Sequence, residues 1–259
     1  MPLSRRLLGS IAAILLISLL AVAVHRRGAP LARGPFSAYP QFTLWAWERP
    51  EDLRHLNPQR FAVAYLAETI SITDTVSVSR RKQPLFLSPG TRVIAVVRIE
   101  APAGVAYLNA PTLPSRIAGI VADAVRSGEA SAIQMDFDAR QSQREFYREV
   151  LVALRQRLPA ETPISITALA SWCAYDDWIH DLPVNEAVPM YFRMGPDHFA
   201  SDTSGWSYPV RDPLCRGSAG VSTDEAWPEL AAGARLYIFH SRAWNPIALQ
   251  NLEHLLPYD

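Results

Sequence analysis

At 259 residues, with 49% hydrophobic and 19% charged content, the chain is long enough to bury a full core and is not a disordered polymer. Lys plus Arg and Asp plus Glu balance at 25 each, so no field of one sign marks nucleic acid as a partner. The 21 prolines exceed the usual share of about 5% and punctuate turns beside apolar runs, as short, rigid connections require.

Leu7 to Val24 is an unbroken run of apolar and small residues, with Arg5 and Arg6 before it and His25, Arg26 and Arg27 after it. Its length just reaches the roughly 17 to 25 residues of a membrane span, so residues 1–27 read as a signal anchor or a cleaved signal peptide. The basic cluster after the run favours anchoring in a bacterial inner membrane with the following domain in the periplasm; cleavage would leave that domain secreted or periplasmic. Residues 28–38 read as a linker, and residues 39–259 as the folded domain. Cys173 and Cys215 are the only cysteines, and an exported compartment would allow them to pair; two separate buried thiols are the alternative.

Pro40 to Trp47 is a first expected strand, followed by one or two helical turns over Pro50 to Leu56 and a second strand from Phe61 to Ala67. Between Ser71 and Leu87 the alternation of ITDTVSVSRR points to a small extended excursion rather than a helix. Thr91 to Ile99 is a nearly continuous apolar strand of the kind covered on both faces. A helix over Pro114 to Ser127 precedes the stretch SAIQMDFDAR, Ser131 to Arg140, and the clearest helix follows over Ser142 to Leu158. Further strands are expected at Pro163 to Ser171, Glu186 to Met194, Ala219 to Thr223 and Arg235 to Ser241. A short acidic helix is expected around Tyr175 to Leu182, a long loop over Gly195 to Gly217, and a last helix over Pro246 to Leu256. Eight strands with helices between several of them fit an α/β fold, an irregular (β/α)8 TIM-like barrel; an open doubly wound sheet is the runner-up, but no glycine-rich phosphate loop follows any strand.

Within Ser131 to Arg140, alternation sends Gln134, Asp136 and Asp138 to one side and Ile133, Met135 and Phe137 to the other. In a barrel the C-terminal strand ends meet at one mouth. The residues expected there are Trp47, Glu48, Glu68, Arg98, Glu100, Asp136, Asp138, Trp172, Tyr191, Arg193, Asp224, Glu225, His240 and Trp244. Carboxylates mixed with aromatic rings suit a sugar site, where rings stack and carboxyls supply an acid and a base or nucleophile. Asp136 and Asp138 lie roughly 6.5 to 7 Å apart along the strand, close enough to raise the pKa of one of them. Asp138, nearer the mouth, is the expected general acid, with Asp136 ordering it and Glu100, Glu68 or Glu225 opposing it. The alternative is an ion network of both aspartates with Arg98 and Arg193. No HxH or HExxH spacing occurs, so neither a metal nor another cofactor is expected, and no G-x-S-x-G elbow supports a serine hydrolase.

The segments IQMDFDARQSQREFY, LPAETPISITALASWC, LPVNEAVPMYFRMG and GVSTDEAW resemble an uncharacterised bacterial family of unknown function, over nearly the whole stretch from Pro40 onward. The resemblance implies a barrel similar to those of glycoside hydrolases. Chitinase-type barrels carry D-x-x-D-x-D-x-E on the fourth strand with the final Glu as acid; Asp136 and Asp138 match the inner two aspartates, while Ile133 and Arg140 stand for the first Asp and the Glu. The expected activity is hydrolysis of an envelope or extracellular polysaccharide. The alternative is a non-catalytic glycan-binding or envelope-assembly module.

Overall fold

The computed structural model describes residues 34–127, 130–192 and 210–256. The expected membrane or signal segment and Arg193 lie outside these residues. Among the described residues no helix is long and apolar enough to cross a membrane.

The described residues open with a 3-10 turn, Pro35–Ala38, and then form β1 (Phe42–Ala46), β2 (Glu51–Leu53), β3 (Phe61–Ile72), β4 (Val76–Arg80), β5 (Leu85–Leu87) and β6 (Val93–Glu100). Helix α1 (Leu113–Ser127) leads to β7 (Ala132–Asp136), α2 (Arg144–Arg157), β8 (Ile164–Leu169) and the short α3 (Ala170–Ala174). The chain then adds β9 (Glu186–Met190), β10 (Ser218–Ser222), β11 (Arg235–Phe239) and α4 (Pro246–Glu253). Strands run side by side in the order β1-β11-β10-β9-β8-β7-β6-β3, and β3 pairs back onto β1 in parallel, which closes the barrel and rules out the open sheet.

Two connections depart from the strand-helix repeat. The expected excursion after β3 is real: β4 folds back antiparallel on β3, and β5 then pairs in parallel with β2. The turns expected over Pro50 to Leu56 thus give way to a short strand, because Glu51 to Leu53 gain ladder partners in Leu85 to Leu87. Further on, the helix expected around Tyr175 to Leu182 is instead α3, which starts directly at the end of β8.

Alternation along each strand divides the core in two. Trp45, Ala62, Ala64, Ile94, Val96, Ala132, Val188, Tyr237 and Phe239 fill the barrel. Ile133, Met135, Ile164 and Ile166 face outward onto α1 and α2, whose Ile117, Val121, Val150, Leu151 and Leu154 are fully buried against them.

Polar groups inside the lower barrel are tied to one another. Trp45 Nε1 donates to Gln134 Oε1 at 2.8 Å, and Gln134 Nε2 donates to Ser165 Oγ at 3.1 Å. Tyr237 OH donates to Glu186 Oε1 at 2.6 Å, and Arg235 pairs with the same carboxylate. The stretch expected as linker caps this end: Phe36 is buried beneath the Arg235 guanidinium, 4.5 Å from its ring centroid, and Tyr39 OH lies 2.6 Å from Ser131 Oγ. Folded structure therefore begins ahead of Tyr39, since Phe36 has an apolar and cationic surface to cover.

Candidate functional site

At the opposite, C-terminal rim the inward positions become acidic. Arg98 on β6 is in register with Asp136 on β7, so both side chains enter the barrel from neighbouring strands. Arg98 donates to Asp136 Oδ2 at 2.9 Å and to Glu100 Oε1 at 3.1 Å, linking the two carboxylates. Thr167 on β8 donates to Asp136 Oδ1 at 2.9 Å. Asp136 is 7% exposed, and burial raises its carboxyl above the ordinary 3.8, against the pull of Arg98 and with the help of Asp138.

Asp138 lies just past the end of β7 and is exposed. Its turn is pinned by Gln143, whose Oε1 accepts from Arg140 N and whose Nε2 donates to Ala101 O, both at 2.9 Å. Behind it, Tyr147 on α2 is fully buried with no partner for its hydroxyl among the described residues. Burial, and then the charges of Asp136 and Asp138, push this phenol well above 10.0.

Aromatic rings occupy the other side. β11 is four strands from β7 in either direction around the barrel, so Phe239 faces the acid wall across it. Its ring centroid lies 4.5 Å from Trp45, 6.4 Å from Trp47 and 4.6 Å from Phe192. Trp47 and Phe192, partly exposed beyond the ends of β1 and β9, carry the wall to the rim.

Several residues expected at the mouth are elsewhere. Glu68 turns outward, because a register shift between Leu66 and Glu68 inserts one residue and places Glu68 opposite the outward Val97. Its nearest cation is Arg80 at 3.7 Å, one carboxylate oxygen is buried without a partner among the described residues, and burial raises its pKa above 4.5. Trp172, on α3, packs edge-on against Trp178 in the outer shell, with centroids 4.8 Å apart. Trp244 is buried in another outer cluster, where its Nε1 donates to Trp45 O at 2.9 Å. Tyr191 also packs on that cluster, since the inward positions of β9 are Glu186, Val188 and Met190. Glu48 accepts from Lys82 N at 2.8 Å and so fastens the chain after β4 instead of lining the mouth.

His240 and Asp224 sit on the rim away from the acid wall. His240 Nδ1 is 2.7 Å from Thr223 Oγ1, its ring lies tilted against Trp244 with centroids 4.9 Å apart, and burial lowers its pKa against the charge of Asp224. Glu225 is in the turn after β10, its N–H directed at Ser222 O. Of the expected residues, the structure brings together Trp47, Arg98, Glu100, Asp136 and Asp138. Thr167, Tyr147, Phe192 and Phe239 were not singled out; only the inward parity of Thr167 on its strand could have marked it.

Cys173 and Cys215 form a disulfide, with Cα atoms 5.9 Å apart. No group of three or more potential metal ligands occurs among the described residues. Two surface grooves, about 480 Å³ between β4 and α1 and about 650 Å³ at the N-terminal rim, contain no residue of the acid wall.

A family described as Domain of unknown function (DUF3142) matches residues 89–182, which span β6 to β8 and the acid wall. A comparison with curated protein sequences returns no match. Among solved structures, a GH18 chitinase from Pseudoalteromonas aurantia is similar with a TM-score of 0.50 at 11% identity, covering 82% of this chain and 99% of that one. A chitinase from Rhizomucor miehei gives 0.47 at 10% identity over 70% of this chain and 68% of that one. The chitinase domain of a Clostridium difficile spore coat protein gives 0.42 at 15% identity over 58% of this chain and 49% of that one, so the chain spans about half of that structure. At 11% identity the similarity to the Pseudoalteromonas structure shows the fold alone, a closed TIM-like β/α barrel.

Proposed function

We propose that the barrel binds an oligosaccharide across its C-terminal mouth and hydrolyses a glycosidic bond there, with Asp138 as general acid and Asp136 as the group that positions it. The observation carrying this reading is the division of the mouth into an aromatic wall, Trp47, Phe192 and Phe239, and an acidic wall, Arg98, Glu100, Asp136 and Asp138. Pyranose faces stack on rings, while hydroxyls and the glycosidic oxygen need charged and hydrogen-bonding partners.

Asp138 is exposed at the mouth. A bound sugar would displace water from Asp138 and bring its carboxyl against the glycosidic oxygen. Arg98, 2.9 Å from Asp136, pulls that carboxyl downward against the larger effect of burial and fixes its orientation beside Asp138. The disulfide supports an oxidising location, consistent with export and an envelope polysaccharide as substrate.

Chito-oligosaccharides are the first probe, given the chitinase fold, followed by cellulose and peptidoglycan fragments. Asp138→Asn is expected to lower turnover at least 100-fold with binding kept, as for loss of a general acid. Trp47→Ala is expected to weaken binding. Absence of turnover on every glycan, with Asp138→Asn unchanged in binding and melting, would sink the hydrolase reading.

A second reading is a non-catalytic glycan-binding module. It is favoured by Arg140, which stands where the chitinase-type motif has its acid, and it predicts saturable binding that survives Asp138→Asn and is lost in Trp47→Ala.

A further inference from the structure

The acid wall does not stop at the barrel. β3 runs on beyond the strand shift, with β6 on one side and β4 on the other, and residues in register share a face. One row reads Ser79, Thr69, Arg98, Asp136 across β4, β3, β6 and β7. The next reads Ser77, Ser71, Glu100. The opposite face of the same strands carries Ile70 and Ile72, fully buried, Val76, which packs with them in the cluster that includes α1, the exposed Val78, and the Glu68–Arg80 pair. The hairpin is thus a two-sided element, one side anchored through Ile70, Ile72 and Val76 and the other bearing four hydroxyls next to the arginine and acids of the mouth.

These hydroxyls are available. Ser77 and Ser79 are exposed, Thr69 and Ser71 are partly so, and none of the four has a protein partner among the described residues. From β7 to β4 is three strand spacings, roughly 14 Å, which exceeds one pyranose ring. A solvent-facing edge strand ordinarily carries charge on such positions; here Arg80 is in register with the outward Glu68 on the other face and the ledge positions are neutral donors and acceptors.

We infer that this ledge is an extended subsite for a polyhydroxylated chain whose reacting unit lies in the mouth, so that the ligand is a polysaccharide or an oligosaccharide of several units rather than a single sugar. Neutral hydroxyls exchange hydrogen bonds with sugar hydroxyls at little desolvation cost, and Arg98 and Glu100 join ledge and mouth into one surface. The inference rests on the glycan reading of the mouth.

The test is calorimetric binding of chito-oligosaccharides from dimer to hexamer, repeated with cello-oligosaccharides and peptidoglycan glycan fragments. Wild-type affinity is expected to rise with length. Ser77→Val/Ser79→Val, which keeps strand propensity, is expected to weaken the hexamer roughly fivefold or more and leave the dimer unchanged. Val78→Thr, on the opposite face of the same strand, is the control and is expected to change neither. Trp47→Ala is expected to weaken both. Affinity independent of length, or a hexamer unaffected by the serine pair while Trp47→Ala weakens it, overturns the ledge and leaves the mouth standing. Failure of every length in all three series to bind overturns the mouth and the ledge together.

Discussion

Two arginine–carboxylate pairs lie inside the same barrel, and their surroundings differ. At the N-terminal end Arg235 and Glu186 are 13% and 5% exposed, Tyr237 takes the second carboxylate oxygen, and Phe36 closes the opening beneath the guanidinium. At the C-terminal end Arg98 is 32% exposed and shared between Asp136 and Glu100, and Asp138 stands free of the pair in solvent. The lower pair is enclosed by its own protein; the upper one leaves acceptors and a cation facing outward. Similar chemistry is structural where sealed and available for a ligand where open.

Breaking the lower pair should have the largest effect. Glu186→Ala leaves Arg235 charged and buried, and an urea unfolding curve should show a loss of about 3 to 5 kcal/mol. At the upper pair Asp136→Asn keeps the Thr167 contact and leaves Arg98 both solvent and Glu100, so a loss of about 1 to 2 kcal/mol is expected together with strongly impaired turnover. Equal losses at the two sites would erase the distinction.

Glu68 sharpens the comparison, being buried with a single, solvent-exposed cation among the described residues, Arg80, at 3.7 Å. Its folded pKa lies above the ordinary 4.5, so the folded state holds the proton longer than the unfolded chain does. That stabilising contribution is complete below about 4.5 and is lost as pH rises through the folded value. Glu68→Gln should therefore stabilise the protein by about 1 kcal/mol at pH 7, with the gain disappearing in melts below pH 4. Smallest of all, Asp138→Asn should shift stability by less than about 0.5 kcal/mol, as for an exposed side chain, while removing the proposed acid.

Much of the barrel was legible because covered parallel strands are nearly continuous apolar runs, as in Val93 to Val97 and Ile164 to Ala168. The row of Gln134, Asp136 and Asp138 was legible for the same reason in reverse, polar residues alternating with Ile133, Met135 and Phe137. Errors arose where parity broke. Counting by two from Ala62 puts Glu68 inside, but the extra residue after Leu66 reverses the remainder of β3 and brings Thr69 and Ser71 inward instead. Composition does not reveal such a shift. On β9 both faces are covered, so nothing in EAVPMYF distinguishes the side of Tyr191 from that of Phe192. Trp172 was misplaced because β8 ends at Leu169 and a helical turn rotates the indole beneath the outer shell.

The cystine between α3 and the turn before β10 joins positions 42 apart in sequence, with β9 between them. A protease cutting anywhere in that interval would produce two fragments that migrate as one species until a reductant is added. Non-reducing electrophoresis is consequently a poor witness of chain integrity for this protein, and reducing electrophoresis is the informative assay.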